Sequence, residues 1–247
     1  MQTYTATGMT LLVRKYKGSE RIATFYSRER GKIEAVAKGI GKPGSTLAPA
    51  VEMFALSKLF LAEGRELDRL TQCEVVDSFY ELRQDMTRYG HASYIAELVV
   101  KTTEVGEANE GLFEALTEAL QAMRTADQPE PIAWAFTLTL LDMLGIGPAT
   151  EACVSCGAHP VGDVGYSPQE GGVICGKCRP VVAAGLNLGP PTLAALRGLR
   201  SFPIVRVARI AVGPPTAREI RRLLQMHIGY HLGIELKSQA FLEKMGV

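Results

Sequence analysis

Short runs of alternating or β-branched residues fill the first eighty positions of the chain. Turn residues, among them Gly18-Ser19 and Arg30-Gly31, separate these runs. The predicted strands are residues 9–14, 21–27, 32–38, 51–62 and 67–77. Strands of this length and spacing predict a small β-barrel or β-sandwich.

The hydrophobic period changes to that of a helix near Glu81. Apolar residues then recur three or four positions apart, as they do on one face of a helix. Pro131 and Gly145 frame a predicted helix over 132–144. Thr216 and Glu219 form a capping-box pattern, which predicts the start of the last long helix.

The strands therefore come first and the helices second, an order that predicts an α+β multidomain protein rather than alternating βαβ units. We predict a barrel over residues 1–80 and a mainly helical domain formed by 81–150 and 186–247. Residues 151–185 form a predicted insert, rich in glycine and proline, that holds four cysteines and cannot build a core of its own.

The composition is that of an ordinary globular protein, with 47% hydrophobic and 21% charged residues. No uncharged apolar run reaches the roughly 18 residues of a membrane helix. The first residues also lack the basic-then-apolar pattern of a signal peptide. We therefore expect a cytoplasmic protein with no membrane partner, in which disulfides are unusual.

Two C-x-x-C pairs are the strongest chemical signal in the sequence. They are Cys153 with Cys156 and Cys175 with Cys178. Paired spacing of this kind lets four sulfurs surround one ion, and we predict one structural Zn²⁺ per chain. Two disulfides or four unrelated thiols are the alternatives. A catalytic zinc is disfavoured because four thiolates leave no open position on the metal.

A net charge of only +1 hides an uneven distribution along the chain. Residues 1–45 carry nine Lys/Arg against three Asp/Glu, and residues 151–247 carry eleven against six. Residues 81–150 carry four against eleven. This pattern predicts a basic surface at each end of the chain and an acidic middle. A charged run is also typical of a solvated face, and the acidic middle fits either that or a docking face for a protein.

The N-terminal cations fall on the ends and turns of the predicted strands, with aromatic residues between them. They are Arg14, Lys15, Lys17, Arg21, Arg28, Arg30, Lys32, Lys38 and Lys42. Cations along a nucleic-acid backbone, with rings that stack on bases, are typical of single-strand-binding surfaces, so we predict DNA binding here. Tyr16, Phe25 and Tyr26 are the interleaved rings, and the barrel core is the alternative place for the last two.

A second basic stripe lies on the last long helix, opposite its apolar face. It consists of Arg218, Arg221 and Arg222. These residues are a candidate site for phosphates or for an acidic peptide, and a solvated helix face is the alternative.

No set of residues in the sequence points to catalysis, so we expect no enzyme activity and predict no catalytic residues. Residues 39–44 match the spacing of a dinucleotide-binding loop, but Pro43 and Pro49 exclude the helix that such a site needs. His227 and His231 share one helix face, which is apolar, and are predicted to be core or interface residues.

Several segments together resemble a known family. They are Y-x4-RIATFYSRERGKIEAVAKG over residues 16–39, L-x2-D over 82–85, ASY-x2-EL over 92–98, YSP-x2-GG over 166–172, YHLG over 230–233 and LKS over 236–238. In this order, and over nearly the whole chain, they are similar to the bacterial RecO family of DNA repair proteins.

The resemblance implies an N-terminal OB-fold barrel, a mainly helical C-terminal domain and a zinc-ribbon-like insert. It implies a recombination mediator that binds single- and double-stranded DNA and anneals complementary strands. With RecR, and often RecF, such a protein promotes loading of RecA on strands coated by the single-strand-binding protein. The acidic C-terminal tail of that coating protein is a further implied partner, and the implied location is the cytoplasm, at the nucleoid. Some members of the family lack the four cysteines, so zinc is expected to support the fold rather than the activity.

Overall fold

A computed structural model describes residues 2–182 and 185–246 of the chain. Contacts divide it into two compact units. One is formed by the residues up to Thr125 together with those from Leu236 onwards, and the other by Ala126–Glu235. The predicted domain ranges follow changes of element type, whereas these units follow contacts. Residues 1, 183, 184 and 247 of the predicted ranges lie outside the described residues.

The predicted α+β class is confirmed, with strands in the first eighty residues and mainly helices beyond. The strands are β1 (Thr3–Lys15), β2 (Arg21–Ser27), β3 (Gly31–Ala37), β4 (Leu56–Ala62), β5 (Asp68–Asp77), β6 (Val164–Ser167), β7 (Gly172–Ile174) and β8 (Leu186–Leu188). The helices are α1 (Tyr80–Gln84), α2 (Met86–Thr102), α3 (Glu110–Met123), α4 (Glu130–Met143), α5 (Pro190–Ser201), α6 (Ile204–Val207), α7 (Pro214–Leu232) and α8 (Lys237–Met245).

Strands β1 to β5 close into a barrel in the order β1-β2-β3-β5-β4. Neighbouring strands are antiparallel except β3 and β5, which pair in parallel from Ala35–Asp68 to Ala37–Leu70. This order is that of the OB-fold, in which the β1–β2 and β4–β5 loops flank the ligand-binding face. The buried core includes Phe25, whose fully buried ring contributes about 2 kcal/mol.

Strand β1 is twice as long as the segment 9–14 that the pattern predicts. Its first half, from Thr3 to Met9, pairs with β4, and its second half, from Gly8 to Lys15, pairs with β2. The first half alternates threonines with Tyr4 and Ala6, so it has little apolar signal although β-branched residues favour strands.

The prediction of one strand over 51–62 is wrong for its first half. A 3₁₀ helix covers Ala48–Val51, with Pro49 in its first turn, and β4 begins only at Leu56. Phe54 between them has a φ of +69°, which interrupts extended backbone. Its N–H donates to the Thr10 carbonyl at 2.8 Å, and its ring is fully buried.

Helix α8 returns to the first unit and packs on α2. The Glu97 carboxylate of α2 accepts hydrogen bonds from the N–H groups of Lys237 (3.0 Å) and Ser238 (2.8 Å), and from the Ser238 hydroxyl (2.7 Å). These bonds satisfy donors at the start of α8 that a helix leaves free. Gly90 allows close approach, since a Cβ there would lie 2.6 Å from Leu242.

The second unit combines α4–α7 with a small sheet in the order β7-β6-β8. His227 is fully buried there, as predicted, and its Nε2 donates to the Ile146 carbonyl while its Nδ1 accepts from the Tyr166 hydroxyl. Burial lowers the pKa of His227 to about 4. No helix among the described residues is both long and apolar enough to cross a membrane.

The capping box predicted at Thr216 is not formed. Helix α7 begins two residues earlier at Pro214, and its N-cap is Gly213 without a side-chain hydrogen bond. The Glu219 carboxylate instead accepts hydrogen bonds from the Gly189 N–H at 2.9 Å and the Thr192 hydroxyl at 2.5 Å. The carboxylate that the capping-box pattern assigns to the start of α7 therefore makes hydrogen bonds with a distant segment of the chain instead.

Candidate nucleic-acid interface and metal centre

The structure brings the four predicted cysteines together in the second unit. The sulfur atoms of Cys153, Cys156, Cys175 and Cys178 all lie within 4.8 Å of one another, and none is in a disulfide. Two backbone turns position them. The Gly157 N–H donates to the Cys153 carbonyl at 2.8 Å, and the Cys178 N–H donates to the Cys175 carbonyl at 3.0 Å.

Backbone donors around the sulfurs favour thiolates. Burial raises the pKa of Cys153, but N–H groups of Cys175, Cys156 and Ser155 outweigh burial and lower this pKa to about 6. The Cys178 backbone likewise lowers the pKa of Cys175. A hydrogen bond with Ser155 lowers the pKa of Cys178. The neighbouring cysteine sulfurs raise this pKa by more, and the result is a pKa of about 12. A cation bound between the sulfurs would offset the repulsion that raises the pKa of Cys178 and would let the four cysteines bind as thiolates.

The donor set fits a metal ion held for structural purposes. Four thiolates fill a tetrahedron and leave no position for a substrate. The buried cluster around the cysteines contains little else, with only Ile174 as a further fully buried residue. A bound ion would therefore supply folding energy to the two cysteine turns, where few apolar side chains are buried.

The second candidate site is a cleft of about 450 Å³ on the barrel, which we call the loop cleft. Its walls are the β1–β2 turn, the end of β3 and the β4–β5 turn. The lining residues are Tyr16, Lys17, Glu20, Val36, Lys38, Glu66, Leu67, Asp68 and Arg69. The loop after β3 also reaches this region, because a Cβ on Gly41 would lie 3.0 Å from the Ser19 Cβ. In an OB-fold these are the loops that bind ligands.

Two of the nine predicted DNA-binding cations, Lys17 and Lys38, line the loop cleft. Three more, Lys15, Arg21 and Lys42, lie on the strand ends and the loop beside it. Among the described residues, no carboxylate lies within 4.0 Å of the charged nitrogens of Lys15, Lys17, Arg21 or Lys42. Lys38 pairs with Glu20 at 3.4 Å. Cations that have no carboxylate partner among the described residues are available to phosphates.

Three predicted cations lie instead at the β2–β3 turn, where Arg28 and Lys32 join the barrel to helices of its unit and Arg30 makes a contact within the barrel. Arg28 pairs with Glu110 at 2.9 Å, and Arg30 pairs with Glu63 at 2.9 Å. Lys32 donates to the carbonyls of Val100, at 3.0 Å, and Thr103 at the end of α2. These contacts give the three side chains a structural role.

The remaining predicted cation, Arg14, pairs with Glu34 at 2.6 Å on the outside of the barrel. Of the three interleaved rings, Phe25 and Tyr26 are in the core, with exposures of 0% and 1%. Only Tyr16 is exposed, at 44%. The alternative of a place in the barrel core is therefore correct for Phe25 and Tyr26.

The structure separates the members of the second basic stripe. Arg221 makes a bidentate pair with Glu130, with one bond of 2.8 Å, and this pair raises the pKa of Arg221. Arg218 and Arg222 are exposed, and no carboxylate among the described residues lies within ion-pair distance of them. Two of the three arginines are therefore free to contact a ligand.

Sequence reasoning missed Arg69, an exposed residue of the loop cleft with no ion pair in the described part of the chain. It lies in a segment, 46–80, that carries three Lys/Arg against six Asp/Glu and so looks acidic. Because the β4–β5 loop of an OB-fold binds ligands, the position of Arg69 next to that predicted loop could have identified it.

Comparisons with known proteins agree over the whole chain. The family model for the N-terminal domain of recombination protein O matches residues 1–79, and the model for its C-terminal domain matches residues 83–240. The DNA repair protein RecO of Pelotomaculum thermopropionicum is 38% identical over 100% of this chain and 96% of that protein. RecO of Symbiobacterium thermophilum is 34% identical over 99% and 98%, and RecO of an Anaeromyxobacter species is 36% identical over 97% and 96%. The chain therefore belongs to the RecO family of DNA repair and recombination proteins.

Proposed function

We propose that this chain is a recombination mediator that binds single- and double-stranded DNA and anneals complementary strands. With RecR, and with RecF as a further candidate partner, it promotes loading of RecA on strands coated by the single-strand-binding protein. Its family, with a role in DNA repair and recombination, supports the proposal. The observation that carries it is the loop cleft at the ligand-binding loops of an OB-fold barrel, where Lys17 and Arg69 have no carboxylate partner among the described residues.

The proposed mechanism is electrostatic. Cations of the loop cleft neutralise phosphates of one strand, and Arg218 and Arg222 hold a second strand or the acidic tail of the single-strand-binding protein. Lower repulsion between the two strands, and a lower entropic cost of their encounter, accelerate pairing. Base pairing reads the sequence, so the protein needs neither hydrolysis nor a nucleotide. We accordingly propose that it is not an enzyme.

The metal centre has a supporting role in this proposal. One Zn²⁺ per chain, held by the four cysteines, would fix the fold of the small sheet in the second unit. The proposed place of action is the cytoplasm, at the nucleoid. The acidic segment 81–150, which contributes residues to both units, is the part of the chain proposed to make contacts with RecR.

Two measurements on untagged protein test the DNA part of the proposal. Fluorescence anisotropy of labelled single strands and duplexes should show binding to both. Mixing two labelled complementary strands without ATP should then show faster annealing in the presence of the protein. Binding without faster annealing would reduce the function to that of a simple strand binder. Turnover of DNA or of a nucleotide would contradict the non-enzymatic mechanism.

A further inference from the structure

Tyr16 is held in a defined position at the edge of the loop cleft. Its N–H donates to the Glu20 carbonyl at 3.1 Å, and the Glu20 N–H donates back to the Lys17 carbonyl at 2.8 Å, which closes the β1–β2 turn. The ring is 44% exposed, and the Lys17 ammonium lies 5.2 Å from its centroid. An aromatic face and a cation are therefore presented together from one short turn.

The cleft below this ring suits a base better than a phosphate. It is lined by as many acidic as basic side chains, so its interior carries little net charge. Asp68 and Glu20 have internal partners, in Tyr4 and Lys38, whereas Glu66 has no ion pair among the described residues. A free carboxylate repels phosphate but accepts a hydrogen bond from an exocyclic amine of a base.

Further cations lie on the strand ends and the loop beside the cleft. Lys15 and Arg21 face each other across β1 and β2, next to the turn that carries Tyr16. Lys42 lies on the loop that approaches Ser19 in the same turn. Phosphates can thus be held at the edge while one base enters the cleft.

From these observations we propose that Tyr16 stacks on an unpaired base held in the loop cleft, and that this contact makes the chain prefer single strands to duplex. The inference rests on the proposed DNA binding and adds to it a preference for single strands. A base within a duplex offers no free face, and extracting it costs a few kcal/mol. Contacts with phosphates alone give no such preference, because both forms of DNA carry them.

The experiment compares Tyr16→Leu, which removes the ring, with Tyr16→Phe, which keeps it. The matched control is Tyr80→Leu, because Tyr80 is 55% exposed on α1 and outside the cleft. Binding is measured by anisotropy on a single strand, a duplex and a single strand of abasic sites. We expect Tyr16→Leu to weaken binding to the normal single strand about 5- to 150-fold. The affinity of Tyr16→Leu for the duplex and for the abasic strand should stay within about twofold of that of wild type. The affinities of Tyr16→Phe and Tyr80→Leu for all three DNAs should also stay within about twofold.

The salt dependence gives an independent readout. Tyr16→Leu changes no charge, so the slope of log affinity against log salt should be unaltered. Equal losses on single strand and duplex, an equal loss with Tyr16→Phe, or no loss with Tyr16→Leu would each overturn the inference. If the wild type binds DNA and only the cation variants weaken it, the inference fails while the proposed function stands. If the wild type binds no DNA, both fail.

Discussion

Replacing the free cations of the loop cleft should change how DNA binding depends on salt. The triple variant Lys15→Ala, Lys17→Ala and Lys42→Ala removes three exposed ammonium groups that have no carboxylate partner among the described residues. None of the three anchors the barrel to another element. The variant should therefore fold like the wild type and differ in its contacts with phosphates.

The size of the expected change in salt dependence follows from the release of counterions when cations contact phosphates. Five cations in or beside the cleft have no ion pair among the described residues, namely Lys15, Lys17, Arg21, Lys42 and Arg69. Each contact with a single-strand phosphate contributes about 0.7 to the slope of log affinity against log salt, so wild type should have a slope of about −3.5. Fourfold more salt then weakens binding about 100-fold. The triple variant should have a slope of about −1.4 and lose only about sevenfold.

The assay is anisotropy of a labelled single strand at several salt concentrations. Lys58→Ala with Lys244→Ala is the control, because both lysines are exposed and neither lines the cleft. A slope in the triple variant equal to that of wild type would refute the reasoning and place the DNA elsewhere. Charge reversal at Arg28 and Lys32 would be a poorer test, because their internal contacts would also be lost.

Three further predictions concern stability. Metal analysis of untagged protein should find one zinc per chain, and chelation should lower the melting temperature; zinc-free, equally stable protein would contradict the structural role. Gly31→Ala should cost more than about 2 kcal/mol in chemical denaturation, because its φ is +61° and its Cβ would lie 1.8 Å from the Glu107 carbonyl oxygen. Gly106→Ala, with a φ of +85° and no atom within 4 Å, is its control and should cost about 1 kcal/mol. Burial raises the pKa of Glu97, but hydrogen bonds from Ser238 and Lys237 of α8 outweigh burial and lower this pKa overall. Its contribution to stability should be present above the ordinary carboxyl pKa and lost as the pH falls through the lowered one. Glu97→Gln should flatten that part of the pH profile of unfolding, and an unchanged profile would exclude the role.

Local patterns predicted much of the architecture because local residues decide it. The strand over 21–27 is found with the predicted bounds, since β-branched and aromatic residues with turns on both sides specify it. The helix predicted over 132–144 is found as Glu130–Met143, with Pro131 in its first turn and Gly145 at a φ of +73° beyond its end. The four cysteines converge because two tight turns and one sheet suffice to bring them together.

Charge patterns predicted less, because ion pairs form between segments that are distant in sequence. Part of the acidic middle neutralises part of the basic ends within the same unit. Arg28 pairs with Glu110, and Arg221 pairs with Glu130, which removes both arginines from the candidate surfaces. A count of charges along the chain does not contain this information. Arg69 enters the loop cleft for the same reason, since the pairing of β3 with β5 places it opposite Val36.

Annealing of two complementary strands that are already coated with the cognate single-strand-binding protein tests the central claim most directly. Without ATP, the protein should accelerate the appearance of duplex, and the triple variant of the loop cleft should lose most of that acceleration. No acceleration by wild-type protein that still binds bare DNA, with or without added RecR, would contradict the mediator function.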